Sequence, residues 1–391
     1  MQKIWPFTFY FLYFAALSSA MPFFVLFYQG LGFSGAQIGL LTGIPPLITL
    51  VASPFWTGLA DARRWHKLVM GLGIAVAVLV VFLLPSFTGF VIVFLAIILF
   101  NIFISPVSSL SDSATMNMLG EERAMYGRIR LGGTIGWGLF APVAGALVEN
   151  YGLKIAFWTF SAIMLVNFFI SQKLVHSSHE EGAVQSGGIR LFLTSRRWIS
   201  FFFISFLGGI GSFSAAAYLF PYMAELGASE SMMGLALTIS TLSELPVFFL
   251  AHRLVKRFGS YGLLTLTLAM FGVRSLLYAA VSVPSMVLLV QVFGGMIFPA
   301  MWTAGVSYAH ENAPAGLKSS AQGLFGAMSF GVGSAFSGFV SGLLLESVGG
   351  RGMFLALGVF ILCGLALAEG IRRFFPEKDG LPQTALGSSD K

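Results

Sequence analysis

The sequence predicts an all-α membrane protein with twelve transmembrane helices arranged as two similar six-helix bundles. Hydrophobic residues make up 57% of the 391 positions and charged residues only 10%, whereas soluble domains keep about 25% charged residues. A hydrocarbon core of about 30 Å requires about 20 apolar residues per helix, so a chain of this length with short loops accommodates about twelve spans. The two halves of the chain also share a repeated pattern of residues.

Twelve hydrophobic runs are separated by glycine, proline or charged residues. Six precede a polar segment that extends from His176 to Arg197, and six follow it. We therefore expect an N-terminal bundle over residues 1–175, a cytoplasmic linker over 176–197, a C-terminal bundle over 198–375 and a disordered cytoplasmic tail over 376–391. The runs cover approximately residues 5–29, 36–59, 68–86, 88–118, 129–149, 153–174, 198–224, 231–251, 260–282, 284–309, 319–345 and 352–374.

The distribution of basic residues predicts the orientation of the helices. With both termini in the cytoplasm, 19 of the 22 Lys and Arg residues fall on cytoplasmic segments, as the positive-inside rule requires. Only Lys154 and Arg351 fall on the opposite side, and Arg274 lies within the ninth run. The apolar stretch from Ile4 to Tyr28 exceeds a signal-peptide core of about 7 to 15 residues and is interpreted as the first helix. A multi-pass protein of the cell inner membrane is therefore predicted.

The second half of the chain repeats the first at an offset of about 195 residues, as expected for a six-helix unit duplicated in parallel orientation. Tryptophan and glycine positions recur in register, as does an acidic segment after the fifth run of each half. The matching positions are Trp5 and Trp198, Gly39 and Gly234, Gly136 and Gly333, Gly145 and Gly342, and the segments 147–152 and 344–349.

Two such bundles, related by a pseudo-twofold axis along the membrane normal and joined by a linker, resemble the major facilitator superfamily. The resemblance covers nearly the whole chain. It implies a major facilitator fold with a central cavity lined mainly by helices 1, 4, 7 and 10. It also implies that the bundles rock to open this cavity to each side of the membrane in turn.

The loop after the second run carries the first candidate motif. It reads Gly-Leu-Ala-Asp-Ala-Arg-Arg-Trp-His-Lys over residues 58–67, which resembles the cytoplasmic signature of this superfamily. The resemblance implies a conformational latch formed by Asp61, Arg63 and Arg64, because an acid at a helix end can bind a neighbouring helix N-terminus or a basic group in one state only. The family pattern prefers a basic residue at position 62 and glycine at position 64. Positive charge that only orients the chain is the alternative.

The segment from Asp112 to Gly138 contains the most specific motif. Asp112 lies eighteen positions before Arg130, and Gly136 and Trp137 follow that arginine. This arrangement resembles the lactose permease, nucleoside and phenylpropionate symporter branch, and it implies that Asp112, Arg130 and Trp137 bind the substrate. An arginine fork can bind paired hydroxyls or a carboxylate, and an indole face can stack on a ring. Alternatively, the acid and the arginine form a structural gate and the indole only packs.

Two ionisable residues fall inside hydrophobic runs of the second half. Glu244 lies seven residues before Ala251 in the eighth run, and Arg274 lies near the middle of the ninth. An ionised side chain at the bilayer centre costs about 2.5 to 3.5 kcal/mol, so such residues usually face a cavity or pair with each other. The lactose permease type carries a glutamate and an arginine on the same helices, which implies proton coupling by Glu244 and Arg274. A static ion pair between the two helices is the alternative.

The tenth run departs from this branch of the superfamily. Between Met286 and Ala309 it contains no charged residue, although the resemblance implies a histidine and a glutamate there. His310 and Glu311 follow at the cytoplasmic end, where a solvated pair is expected. The prediction of proton coupling therefore rests on Glu244 and Asp112 alone, and a uniporter is the alternative.

Composition excludes several other classes of protein. The net charge of +6 is not concentrated in basic blocks with interleaved aromatic residues, so nucleic acid is not an expected partner. The lone Cys363 provides no disulfide framework and no zinc or thiol-redox spacing. No enzyme is expected, because the sequence lacks His-Glu-x-x-His, Gly-x-Ser-x-Gly and a nucleotide-binding glycine loop.

These features predict a secondary active transporter, foremost a proton-coupled symporter of a small organic solute such as a sugar or glycoside, a nucleoside or an aromatic acid. Proton-driven efflux of drugs or metabolites and a non-transporting receptor or scaffold with the same fold are the alternatives. The expected partners are the solute, protons and the lipid bilayer. Neither a cofactor nor a metal is expected, and the chain is expected to act as a monomer.

Overall fold

The computed structural model describes residues 3–175, 192, 195–314 and 316–374. The predicted tail at 376–391 and most of the predicted linker at 176–197 lie outside these residues. All regular secondary structure in the described ranges is helical. Eleven helices are long and apolar enough to cross a membrane, and the last of them is 56 residues long. It is interrupted at Gly349, where φ is 71°, so it contains two spans and the predicted count of twelve is confirmed.

We label the twelve spans in chain order. Their bounds agree with the predicted runs to within four residues, except that the eighth span ends seven residues later than predicted. They are α1 (Ile4–Gly30), α2 (Gly35–Arg63), α3 (His66–Ser86), α4 (Phe90–Glu122), α5 (Tyr126–Tyr151), α6 (Lys154–Ser171), α7 (Arg196–Glu225), α8 (Glu230–Phe258), α9 (Ser260–Ala280), α10 (Pro284–Asn312), α11 (318–348) and α12 (350–374). One irregularity is a π-helical segment, Ala327–Gly333, in the middle of α11.

Capping residues define where the helices begin on the side opposite the termini. At the start of α2, the Ser34 hydroxyl accepts from the Gln37 amide and the Gln37 side chain accepts from the Ser34 amide, which forms a capping box. At the start of α8, Ser229 accepts from the amide of Met232. These caps fix the two helix N-termini that contact the other half of the molecule.

Within each half, the first helix packs against the fifth through a glycine of the sequence repeat. A Cβ atom at Gly136 on α5 would overlap the carbonyl oxygen of Phe11 on α1. A Cβ atom at Gly333 on α11 would lie 2.5 Å from the carbonyl oxygen of Phe206 on α7. Small residues of this kind let helix backbones approach closely in a membrane. The two glycines therefore have equivalent roles, as the duplication predicts.

The two halves meet through two equivalent helix pairs, α2 with α11 and α5 with α8. A Cβ atom at Gly39 on α2 would lie 2.9 Å from the carbonyl oxygen of Phe339 on α11. A Cβ atom at Gly234 on α8 would lie 2.9 Å from the Cα atom of Pro142 on α5. Gly39 and Gly234 repeat in the sequence, so the repeat places one glycine at each interface.

The contacts between the halves are concentrated on the side opposite the termini. A Cβ atom at Gly145, near the end of α5, would overlap the backbone of α8, whereas nothing lies within 4 Å of such an atom at Gly127, at the other end of the same helix. On α11, a Cβ atom at Gly342 would lie 2.5 Å from the backbone of α2, whereas nothing lies within 4 Å at Gly323. The halves are therefore sealed opposite the termini and diverge toward them.

Candidate solute-binding site

The structure brings Asp112 of α4 and Arg130 of α5 together. The Arg130 Nε atom lies 3.8 Å from the Asp112 Oδ1 atom, and the two side chains are 33% and 37% exposed. Tyr10 of α1 donates its hydroxyl hydrogen to the same Oδ1 atom at 2.6 Å. The pairing expected from the sequence is confirmed, and it involves three helices of the first half.

Aromatic rings of α1 hold the Arg130 guanidinium in place. Its Cζ atom lies 4.8 Å from the ring centroid of Tyr10 and 4.5 Å from that of Phe14, distances at which a cation is attracted to an aromatic face. Gly133 leaves room for this packing, since a Cβ atom there would lie 2.7 Å from the Phe14 ring. The guanidinium is thus positioned by two rings while part of its surface stays accessible.

Trp137 lies on the same face of α5 as Arg130. At about 100° per residue, the two side chains project within about 20° of each other and lie about 10 Å apart along the axis. Around the axis of α5, Gly136 faces α1 and Gly145 faces α8. The side chains of Arg130 and Trp137 project between these two directions. Ile135, on the opposite side of α5, is 43% exposed. Arg130 and Trp137 therefore both face the space between the two halves.

The face of α10 next to α11 is aromatic where the resemblance implies charged residues. Trp302 is 39% exposed, and its ring centroid lies 5.6 Å from that of Phe325 and 5.5 Å from that of Phe330 on α11. Gly305 makes room for this cluster, because a Cβ atom there would overlap the Phe325 ring. This part of the second half thus offers apolar surface in place of ionisable groups.

Glu244 lies on α8 and is partly buried. Among the described residues, none donates a hydrogen bond to its carboxyl or forms an ion pair with it. At the preceding residue, α8 packs tightly on α10, because a Cβ atom at Gly295 would lie 2.9 Å from the Ser243 side chain. The carboxyl therefore lies in a membrane-spanning helix without a partner in the part of the chain that the structure describes.

The expected ion pair between Glu244 and Arg274 is not formed, which corrects the prediction. Arg274 on α9 is only 6% exposed and donates from Nη2 to the carbonyl oxygen of Gly211 on α7 at 2.6 Å. Its guanidinium also lies 5.0 Å from the Phe271 ring centroid, and its Nε atom has no acceptor among the described residues. The side chain packs beside Gly294 on α10, where a Cβ atom would lie 3.0 Å from the Arg274 Cδ atom. It is held inside the second half and is not directed at α8.

Two of the three predicted latch residues, Asp61 and Arg63, contact side chains of the same segment. The Asp61 Oδ1 atom lies 2.7 Å from His66 Nε2, and the Arg63 guanidinium lies 5.3 Å from the Trp65 ring centroid. Arg64 has a φ of 57°, the left-handed backbone conformation. This conformation explains why the superfamily signature prefers glycine at position 64, because glycine adopts it without a steric penalty.

Tyr10 and Phe14 are site residues that the sequence motifs do not indicate. They are four positions apart, so they lie on one face of α1. This spacing is the only available signal, and it is weak, since seven of the ten residues from Trp5 to Phe14 are aromatic.

Comparisons with known proteins bear on the family and the fold. The model of the MFS_1 like family matches residues 5–356. The chain is 29% identical over 382 residues to maltose permease of Geobacillus stearothermophilus, which covers 94% of this chain and 95% of the relative. It is 29% identical over 231 residues to multidrug resistance protein MdtG of Salmonella typhi, which covers 56% of each chain. The crystal structure of nucleoside transporter NupG superposes with a TM-score of 0.83 at 20% identity, covering 96% of this chain and 100% of that chain; this likeness shows the fold.

The backbone conformation of Arg64 predicts a stabilising substitution. We expect Arg64→Gly to raise the free energy of unfolding by about 1 kcal/mol, because the left-handed conformation costs a residue with a Cβ about 1–2 kcal/mol. Arg63→Gly is the matched control: it lies in the last turn of α2, where glycine lowers stability by about 0.5–1 kcal/mol. Thermal unfolding of the purified variants should show opposite shifts in Tm, and a lower Tm for Arg64→Gly would contradict the assignment.

Proposed function

The chain belongs to the MFS_1 like family of major facilitator transporters, and we propose that it is a proton-coupled symporter that takes up a small organic solute by alternating access. The single observation that carries this proposal is the partly exposed pair of Asp112 and Arg130, to which the buried Tyr10 donates a hydrogen bond. Charged side chains within transmembrane helices are costly unless they face water or a partner. An ion pair that is about one-third exposed at this place is therefore suited to a polar ligand.

The proposed orientation follows from the charge distribution. With both termini on the cytoplasmic side of the cell inner membrane, the seal between α2 and α11 and between α5 and α8 lies on the outer side. The conformation described here is then the one open to the cytoplasm. We propose that a single chain suffices for transport, because the two halves together enclose the site.

Asp112, Arg130 and Trp137 are proposed to bind the solute. The 3.8 Å separation between Arg130 Nε and the carboxylate leaves the pair loose, so the guanidinium retains donors for paired hydroxyls or a carboxylate. Asp112 accepts from Tyr10 and orients the arginine. Trp137, two turns away on the same face, offers a surface on which a sugar or aromatic ring can stack.

A hydroxylated ring compound is the favoured class of solute. A sugar or glycoside presents adjacent hydroxyls to the Arg130 fork and an apolar ring face to Trp137. Maltose permease, 29% identical over 94% of this chain, is named for a disaccharide. Nucleosides and aromatic acids share the same combination of a ring with polar groups, and they are the next candidates.

Glu244 is the proposed proton-binding residue. Its carboxyl lies in a membrane-spanning helix without a donor among the described residues, and an ionised group in such a place is unfavourable. Protonation relieves this cost, and a movement of α8 that brings water or a cation closer would release the proton. Arg274 is proposed to contribute indirectly, since it joins α9 to α7 through Gly211.

Proton-driven efflux is the second candidate function. The aromatic surface formed by Trp302, Phe325 and Phe330 suits apolar compounds, and the similarity to MdtG, named for multidrug resistance, covers 56% of this chain. The two functions differ in the direction in which a proton gradient moves the solute. Counterflow in vesicles with an imposed gradient separates them.

Ligand-induced stabilisation tests the binding assignment. We expect maltose, uridine or phenylpropionate to raise the Tm of the purified protein, because a ligand that binds the folded state stabilises it. With the compound that shifts Tm, Arg130→Lys should weaken binding by at least about tenfold, since a lost hydrogen bond to a charged group costs about 1.5–3 kcal/mol. Arg128→Lys, at an exposed position on the same helix, serves as the control and should bind as the wild type does. Wild-type affinity in Arg130→Lys would refute the site.

Transport by a Glu244→Gln variant tests the coupling assignment. In proteoliposomes with an imposed pH gradient, we expect this variant to lose uphill uptake and to keep exchange of solute at equal concentrations, because glutamine mimics a permanently protonated carboxyl. Glu121→Gln, at an exposed position, should retain both activities. Equal loss of uphill uptake and exchange in Glu244→Gln would show that the residue has another role.

A further inference from the structure

Two glutamates occupy equivalent places at the sealed end of the molecule. Glu149 lies near the end of α5 and Glu346 near the end of α11, within the repeated segments 147–152 and 344–349. The Ser231 amide at the start of α8 donates to Glu149 Oε2 at 3.0 Å. The Gly35 amide at the start of α2 donates to Glu346 Oε2 at 2.8 Å. Each carboxylate therefore binds the N-terminus of a helix that belongs to the other half.

These bonds add to the capping of both helices. The first amides of a helix have no acceptor within it, and the helix dipole places partial positive charge there. Ser34 and Ser229 each accept from one such amide in their own half, and the glutamate of the other half accepts from another. The N-termini of α2 and α8 thus keep both the serine and the glutamate acceptor only when the halves are in contact at this end.

Close backbone packing positions the two carboxylates. Gly145 and Gly342 lie one turn before Glu149 and Glu346, respectively. A Cβ atom at Gly342 would lie 2.5 Å from the Gly35 carbonyl oxygen, and one at Gly145 would overlap the backbone of α8. The glycines bring each helix end within reach of the carboxylate that follows on the next turn.

We propose that Glu149 and Glu346 form a duplicated carboxylate latch that favours the conformation sealed opposite the termini. Separation of α5 from α8 and of α2 from α11 would break both bonds and leave two helix N-termini without a carboxylate. Both glutamates are exposed, so water replaces them at modest cost and the latch is reversible. The inference rests on the proposed alternating access, although its test requires no solute.

Glu225 provides a matched control within the same molecule. It lies at the end of α7 and accepts from the Gly350 amide, at the start of α12, at 2.7 Å. The bond is of the same kind, a carboxylate on a helix N-terminus, but both helices belong to the second half. Its loss should not change the position of one half relative to the other.

The distance between the two halves at the sealed end measures whether the latch holds them together. Thr88, between α3 and α4, and Ser282, between α9 and α10, are exposed on this side in the first and second half. Spin labels on a Thr88→Cys and Ser282→Cys pair, in a Cys363→Ser background, give the interhalf distance distribution by pulsed electron double resonance. We expect Glu149→Ala and Glu346→Ala each to raise the ratio of long-distance to short-distance populations about two- to fivefold, the range for a charge at a helix terminus. The double variant should show about the product of the two effects.

Two outcomes would overturn the latch. One is an unchanged distribution in the double variant, and the other is a shift of equal size in Glu225→Ala. Glu149→Gln and Glu346→Gln, which lose the charge and keep the shape, replace any alanine variant that does not elute as a single monodisperse species. Absence of uptake for every solute, together with the expected distance shifts, would refute the proposed transport and leave the latch intact.

Discussion

Direct contact between helix backbones at the sealed end is the constraint on which the rest of this structure depends. Gly39 faces α11 and Gly234 faces α5 at distances that admit no side chain. Interfaces packed this closely do not deform gradually, because small gaps already forfeit much of the dispersion energy. In the proposed alternation each interface would therefore separate as a unit, and the sequence repeat makes the two interfaces equivalent. The glycines thus allow the close contact between the halves that the proposed alternating access would have to break.

The charged side chains within the membrane-spanning helices differ between the two halves in their exposure and in their partners. Asp112 and Arg130 remain about one-third exposed, since the space between the halves widens toward the termini. Their charges can therefore be hydrated or exchanged for a ligand. Arg274 is almost fully buried and depends on one carbonyl and adjacent rings. The first arrangement suits binding, whereas the second suits the internal cohesion of the second half.

Hydropathy and charge distribution were sufficient to predict twelve spans, because the bilayer fixes helix length. The register repeat predicted equivalent glycines, and the motif spacing predicted that Asp112 and Arg130 meet. The predicted Glu244–Arg274 pairing is wrong. The arginine packs beside Gly294 and donates to the Gly211 carbonyl of α7, and sequence spacing does not encode such contacts between helices. The contact of Tyr10 with Asp112 could not be predicted for another reason. Most residues at the start of the first helix are aromatic, so the sequence does not single out Tyr10.

Chemical labelling at Trp137 measures most directly whether the charged cluster faces an aqueous space open toward the termini. A Trp137→Cys variant in a Cys363→Ser background would be treated with a membrane-impermeant maleimide applied to the terminal side, with the exposed Lys67→Cys variant as a positive control. The expected result is labelling of both variants. Labelling of Lys67→Cys without labelling of Trp137→Cys would contradict an accessible cavity and, with it, the proposed route of the solute.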